Sequence, residues 1–168
     1  MIVHGAWNWG EHWLGVAEEL ADTHTSWVMD RRARGSSGDG DDYSFDREIE
    51  DITAVLDAAG PDAGLLGHSS GGTYALETAR RQSVERLVVY EPPLRWAERG
   101  DPTDIVDRIR ALVDAGRAEE AAELFFSEEG RLDEESLAFL RRLPVCGSRW
   151  WRWHRSVSGS GTPFSAPG

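Results

Sequence analysis

Lysine is absent from this chain: all 18 basic residues are arginine. A phosphate-binding loop needs a lysine after its last glycine, so that reading is excluded. There is one cysteine, Cys146, which cannot form an internal disulfide or a zinc cluster and fits a reducing compartment. There is no H-E-x-x-H and no histidine pair at one-turn spacing, so neither a metal nor an organic cofactor is expected. No apolar run is long enough to cross a membrane, and no basic segment followed by an apolar one opens the chain. The expected location is therefore cytoplasmic. Positive charge is also short, with 30 acidic residues and a net charge of -12, which argues against nucleic acid and anionic membranes as partners.

What the 168 residues do contain is organised around Gly67-His68-Ser69-Ser70-Gly71, a G-x-S-x-G pattern. The apolar stretch Ala63-Gly64-Leu65-Leu66 before it reads as a strand, and Gly72 to Ala79 after it reads as a helix. A sharp strand-to-helix turn holds its central serine in a strained conformation and needs small neighbours, here Gly67, Gly71 and Gly72. The Ser69 hydroxyl would then stand clear of the sheet at a helix start, where free N–H groups can stabilise an oxyanion. The plainer reading is a glycine-rich turn with a surface serine.

Around this turn, strands and helices alternate. Met1-Ile2-Val3 is a strand stub leading into His4-Gly5-Ala6-Trp7. The spacing of Trp13, Ala17, Leu20 and Ala21 predicts a helix over about Glu11 to Ala21, and Trp27-Val28-Met29 predicts a second strand. The glycine-containing loop Asp30 to Gly40 has no helix start behind it, so it makes a weak dinucleotide site. Ser44 or Asp46 can cap the next helix, whose face is Ile49, Ile52, Leu56 and Ala59 and whose stop is Gly60-Pro61. A strand at Val84 to Tyr90 ends in Glu91-Pro92-Pro93. This alternation implies an α/β fold with a mainly parallel sheet, whose active edge would gather Gly5, Asp30, Ser69 and Glu91. Residues 1–95 form this core. Residues 96–143 read as helices only, Asp104 to Ala115, Arg117 to Ser127 and Asp133 to Leu143, punctuated by Gly116, Gly130 and Pro144 and placed as a helical lid segment. Residues 144–168 lose periodicity and read as disordered.

Three motifs in order resemble the α/β-hydrolase superfamily, in particular its esterase-like and non-heme-chloroperoxidase-like serine hydrolases. They are His4-Gly5, the loop Asp30 to Gly38, which resembles D-x-R-G-x-G-x-S with one variation, and Gly67 to Gly71. The resemblance, from Ile2 to about Pro93, implies a partial α/β-hydrolase fold beginning at the family's third strand. It casts Ser69 as nucleophile and the backbone N–H groups of Ser70 and Ala6 as oxyanion hole. It implies that His4 is structural, that His68 points away from the nucleophile, and that Asp30 and Arg31 stabilise their loop. The family triad runs Ser, acid, His. Glu91 is the candidate acid, or else a strand-end residue, and His154 is the candidate base, the one histidine after Ser69.

The implied function is hydrolysis of a small ester or similar acyl substrate through Ser69. The alternative is an inactive remnant or binding module lacking acid and base. Serine rather than aspartate at the elbow argues against epoxide or haloalkane hydrolysis. Trp7, Trp9, Trp96, Phe125 and Phe126 line a small-molecule pocket or belong to the core. Missing strands would leave both sheet edges open, so self-association is expected, and a sharp melt of a monodisperse monomer would contradict it.

Residues after Leu143 carry three arginines as their only charges and are rich in Trp, Gly, Ser and Pro, the composition of GC-rich DNA read out of frame. A frameshifted or truncated tail is expected. Translating the parent DNA in its other frames beyond Leu143 should restore a strand-borne acid and a later histidine; finding neither would refute it.

Overall fold

The computed structural model describes residues 1–38, 40, 42–93 and 103–140. They fall into two compact units, within Met1–Leu94 and within Arg95–Ser158. Expectations for Trp96 and for residues 144–168, His154 and Cys146 included, lie outside the described residues.

The first unit is a parallel three-stranded sheet in the order β1 (Ile2–Val3), β2 (Leu65–His68), β3 (Leu87–Tyr90). Ile2 pairs with Leu66 and Val3 with Gly67; Leu65 to His68 pair with Leu87 to Tyr90. Trp27-Val28-Met29 is not the strand the sequence suggests. β1 is two residues long, and toward this segment only Ile2 pairs, through a single parallel bridge to Val28. Ile2 N–H donates to Trp27 O at 2.7 Å and Met29 N–H to Ile2 O at 3.4 Å.

The expected helix over Glu11 to Ala21 is also shorter. A 3₁₀ turn at Gly10–Trp13 passes into α1 (Leu14–Glu19), and then Ala21 and Thr23 bond three residues back, to Glu18 and Leu20. Gly15 and a six-residue span give α1 little intrinsic stability. Trp13, Ala17 and Leu20 do share a half-buried face, but Ala21 is exposed.

α2 (Phe45–Ala59) is the better formed helix. Ser44, not Asp46, is the cap: its Oγ accepts from Arg47 N–H at 3.2 Å. Glu48, Ile49, Ile52 and Leu56 are its buried residues, and Gly60 at φ 104° ends it. Against it lies α3 (Ser70–Arg81), burying Gly71, Gly72, Tyr74, Ala75 and Thr78. Val3, Met29, Ile49, Ile52, Leu65, Tyr74 and Ala75 form the core between these helices and the sheet. Each such large apolar side chain contributes about 1.5–3 kcal/mol. β3 differs, since all four of its residues are 36–56% exposed.

The second unit holds α4 (Thr103–Asp114), α5 (Ala118–Leu124), a π turn at Phe125–Glu129 and α6 (Glu134–Leu140). Ile105, Ile109 and Val113 recur every fourth residue and are buried. A Schellman stop ends α4: Gly116, at φ 74°, donates to Val113 O at 2.9 Å and Arg117 donates to Leu112 O at 2.8 Å. The stretch expected as one helix to Ser127 widens at Phe125, where Gly130 N–H bonds five residues back. Asp133 caps α6 from outside it, its Oδ1 accepting from Ser136 N–H at 2.9 Å. Phe125 and Phe126 meet edge to face at 5.4 Å.

Close packing at the β2–α3 turn generates a prediction. A side chain on Gly71 would run into the carbonyl oxygens of Val3 and His4, whereas one on Gly38 would meet nothing within 4 Å. Gly71→Ala should destabilise the first unit by at least the roughly 1–3 kcal/mol of core overpacking. Gly38→Ala should change urea stability by less than about 0.5 kcal/mol.

Candidate active site

β2 enters the turn through Gly67-His68 and α3 leaves it at Ser70, so Ser69 is the pivot. Its backbone sits at φ 52° and ψ -125°, the strained conformation expected for a nucleophile elbow. Its N–H donates to Tyr90 O at 2.9 Å, and its carbonyl accepts from Gly72 at 2.8 Å and Thr73 at 3.3 Å. Small residues allow this. A Cβ on Gly67 would stand 2.5 Å from Gly71 O and 2.7 Å from the Ala75 Cβ; one on Gly5 would stand 2.9 Å from the Ser69 Cβ. The loop after β1 thus lies directly against the serine. Ala6 follows Gly5, and Trp7 turns the loop at φ 56°. Ser70 opens α3, so its N–H is among those with no partner inside the helix.

His4 is buried and held at both nitrogens. Arg31 N–H donates to its Nε2 at 3.1 Å, so Nδ1 carries the proton and donates to Gly5 O at 2.9 Å. Burial, and then the adjacent Arg31 charge, push its pKa down to about 3. A neutral ring with both nitrogens engaged anchors the loop and is unsuited to act as a base. His68 is half-buried between Trp13 and Tyr90, with ring centroids 5.3 and 5.5 Å away. Its pKa is lowered by burial, against the opposing pull of Glu91, and its buried Nδ1 has no hydrogen-bond partner among the described residues. His12 Nδ1 pairs with Asn8 Oδ1 and His24 Nδ1 with Thr23 Oγ1. Among the described residues, therefore, no histidine is hydrogen-bonded to the Ser69 hydroxyl. Glu91 is exposed at the end of β3 with φ 49°.

The loop after Met29 is built on its charges. Asp30 accepts from Gly10 N–H at 2.7 Å and from Ser36 N–H and Oγ at 2.8 and 2.7 Å. Burial would raise its pKa, but these donors, led by the Ser36 and Gly10 amides, lower it on balance. Ala33, at φ 61°, stands where the D-x-R-G-x-G-x-S pattern has its first glycine. A side chain there costs about 1–2 kcal/mol that glycine would not.

Glu48 stands outside the apolar face named from the sequence, yet it is buried at the centre of the unit. It is fully buried and takes both ends of the Arg31 guanidinium, Nη2 at 2.6 Å and Nε at 3.0 Å. It also accepts from Tyr43 OH at 2.7 Å and Arg34 Nη1 at 3.2 Å. Burial alone would raise its carboxyl, but Arg31 above all holds it at about 2. Arg31, itself 1% exposed, lies 4.5 Å over the Tyr74 ring. Its Nη1 fans out to His4 O at 3.2 Å, Gly5 O at 3.3 Å and Ser70 Oγ at 3.2 Å. The signal that could have found the pair was a glutamate one place before Ile49, inside the predicted buried stripe.

A parallel sheet with a strained serine elbow and a histidine-anchored loop beside it defines a class, and the comparisons agree. The chain matches the profile of the alpha/beta hydrolase family along residues 1–168 and belongs to that family. An N-formylmaleamate deformylase of Pseudomonas putida is 40% identical over 87 residues, 49% of this chain and 32% of that protein. An alpha/beta hydrolase from Sphaerobacter thermophilus superposes with a TM-score of 0.79 at 32% identity, over 94% of this chain and 65% of that one. An N-formylmaleamic acid deformylase from Pseudomonas putida S16 superposes at 0.56 with 24% identity, over 93% and 64%, a likeness of fold alone. The chain thus spans about a third of the curated relative's length and about two thirds of these solved structures. No helix among the described residues is long and apolar enough to cross a membrane. Among the described residues no cluster of metal-ligating side chains is present.

The buried polar cluster sets the pH response. His4 titrates near 6.5 when unfolded and near 3 in place, so between these values the unfolded chain binds the extra proton. Stability of the first unit should fall as pH drops below about 6.5. Glu48, ordinarily near 4.5 and here about 2, adds a loss of the same sign below 4.5. Thermal melts across pH 4.5–7.5 should show the first slope, and His4→Gln should flatten it.

Proposed function

We propose that the chain is a serine hydrolase of a small ester or similar acyl substrate, with Ser69 as nucleophile. The observation that carries this reading is the Ser69 backbone at φ 52° and ψ -125°, at a strand-to-helix turn cleared by Gly5, Gly67 and Gly71. Strain of this kind costs about 1–3 kcal/mol and is kept where function needs the side chain presented. The hydroxyl attacks the acyl carbon, the leaving group departs with a proton, and water later releases the acyl group from Ser69. The N–H groups of Ala6 and Ser70 face the developing oxyanion. The deformylase relative supports a small acyl substrate, an N-formyl amide being one member of that class beside the esters.

The second reading is a binding module or inactive remnant, favoured by one observation: no described histidine reaches Ser69. In the hydrolase reading the base falls to His154 and the acid to Glu91; in the second reading neither serves. The location we propose is cytoplasmic, with a small-molecule substrate and no nucleic-acid partner, in keeping with the acidic charge.

A fluorophosphonate should label the folded chain and fail to label Ser69→Ala. On a nitrophenyl ester at neutral pH the rate should be weak, near the roughly 10³–10⁴ over water that an oxyanion hole and binding supply without a full triad. Large, equal losses in Ser69→Ala and His154→Ala would assign the base to His154. Absence of labelling in folded protein would favour the binding module.

A further inference from the structure

Arg31 touches neither Ser69 nor any group that would meet a substrate, yet its guanidinium ends on the two segments that flank the serine. One is the loop after β1, through the carbonyls of His4 and Gly5; the other is the elbow, through Ser70 Oγ. The Gly5 carbonyl and the Ala6 N–H belong to one peptide group. That carbonyl accepts twice, from His4 Nδ1 at 2.9 Å and from Arg31 Nη1 at 3.3 Å. A carbonyl that accepts hydrogen bonds, one of them from a cation, draws electron density from its own peptide nitrogen and makes the N–H a stronger donor. The same contacts fix where that N–H points, because Arg31 is locked by the bidentate bond to Glu48 and by the Tyr74 ring beneath it.

We propose that Arg31 is a positioning residue for the oxyanion hole, aligning and polarising the Gly5–Ala6 peptide against Ser70. The inference rests on the reading of Ser69 as nucleophile. Glu48 has a different task, holding Arg31 in place, and touches neither flanking segment. The two roles therefore separate on substitution: loss of Glu48 costs stability, whereas loss of Arg31 costs transition-state stabilisation as well. Removing an oxyanion-hole donor outright costs about 10²–10³ in rate. Removing a group that acts only through the donor should cost less, about tenfold.

The experiment is fluorophosphonate labelling of Ser69 in the full chain, resolved into limiting rate and half-saturating concentration, with urea stability measured alongside. Arg31→Met leaves Glu48 buried without its main partner, so the double variant Arg31→Met/Glu48→Gln is included to remove both charges of the pair together. The expected result is a limiting rate about tenfold below wild type in both Arg31 variants at unchanged half-saturation. Glu48→Gln alone keeps the guanidinium, one oxygen to accept from it and the Tyr74 ring beneath it, so it should lose stability and slow labelling less than either Arg31 variant does. A double variant that labels as fast as Glu48→Gln overturns the assignment to Arg31 while leaving the Ser69 reading intact. A folded wild-type chain with no Ser69-dependent labelling overturns both.

Discussion

The first unit depends on a single ion pair, Arg31 with Glu48, sealed from solvent at 2.6 and 3.0 Å. A buried pair is a poor source of net stability, because desolvating both ions costs about what their attraction returns. What it supplies is arrangement. The guanidinium is a rigid fork of donors: here Nε and Nη2 go to an α2 carboxylate, and the two Nη1 hydrogens are shared among two loop carbonyls and an elbow hydroxyl. Three segments far apart in the chain are thereby brought to one point behind Ser69. An apolar replacement could fill the space but could not satisfy the carbonyls of His4 and Gly5, which would be left buried without that donor.

Strain and packing meet at the same point. Ser69 at positive φ is held from both sides, by its N–H bond to Tyr90 O on β3 and by the first turn of α3 on its own carbonyl. The sheet and the helix can approach because Gly71 lies against the carbonyls of Val3 and His4 with no side chain between. Those carbonyls close the circle, since Arg31 binds one of them. Edge strand β3 is the exception: it fixes the elbow through its backbone while its own side chains remain exposed.

The elbow, the parallel sheet and the α2 face were legible in the sequence because each has a local signal: glycines at a turn, alternation of strands and helices, apolar residues at helical spacing. Leu56 and Ile52 fell where the period put them. What was not legible is non-local. Val28 has strand-like neighbours, but only Ile2 of the short β1 pairs with it, a fact set by the other strand. The α1 region breaks at Trp13, where φ of -107° and ψ of 0° leave the helical range under tertiary packing. Glu48 looked like one more acidic residue among 30, and nothing nearby in sequence announces that its partner stands 17 positions earlier.

The protonation state of His4 joins these observations. The cluster of Arg31, Arg34 and Glu48 already carries two positive charges against one negative in the interior. A proton on His4 Nε2 would add another and would also remove the lone pair that accepts from Arg31 N–H. Two donors would then face each other where one bond had been. The cost of that proton is therefore electrostatic and geometric together, which is why the imidazole stays neutral far below its ordinary range. His4 is thus a structural histidine whose neutrality lets Arg31 remain where it is, and with it the backbone beside Ser69.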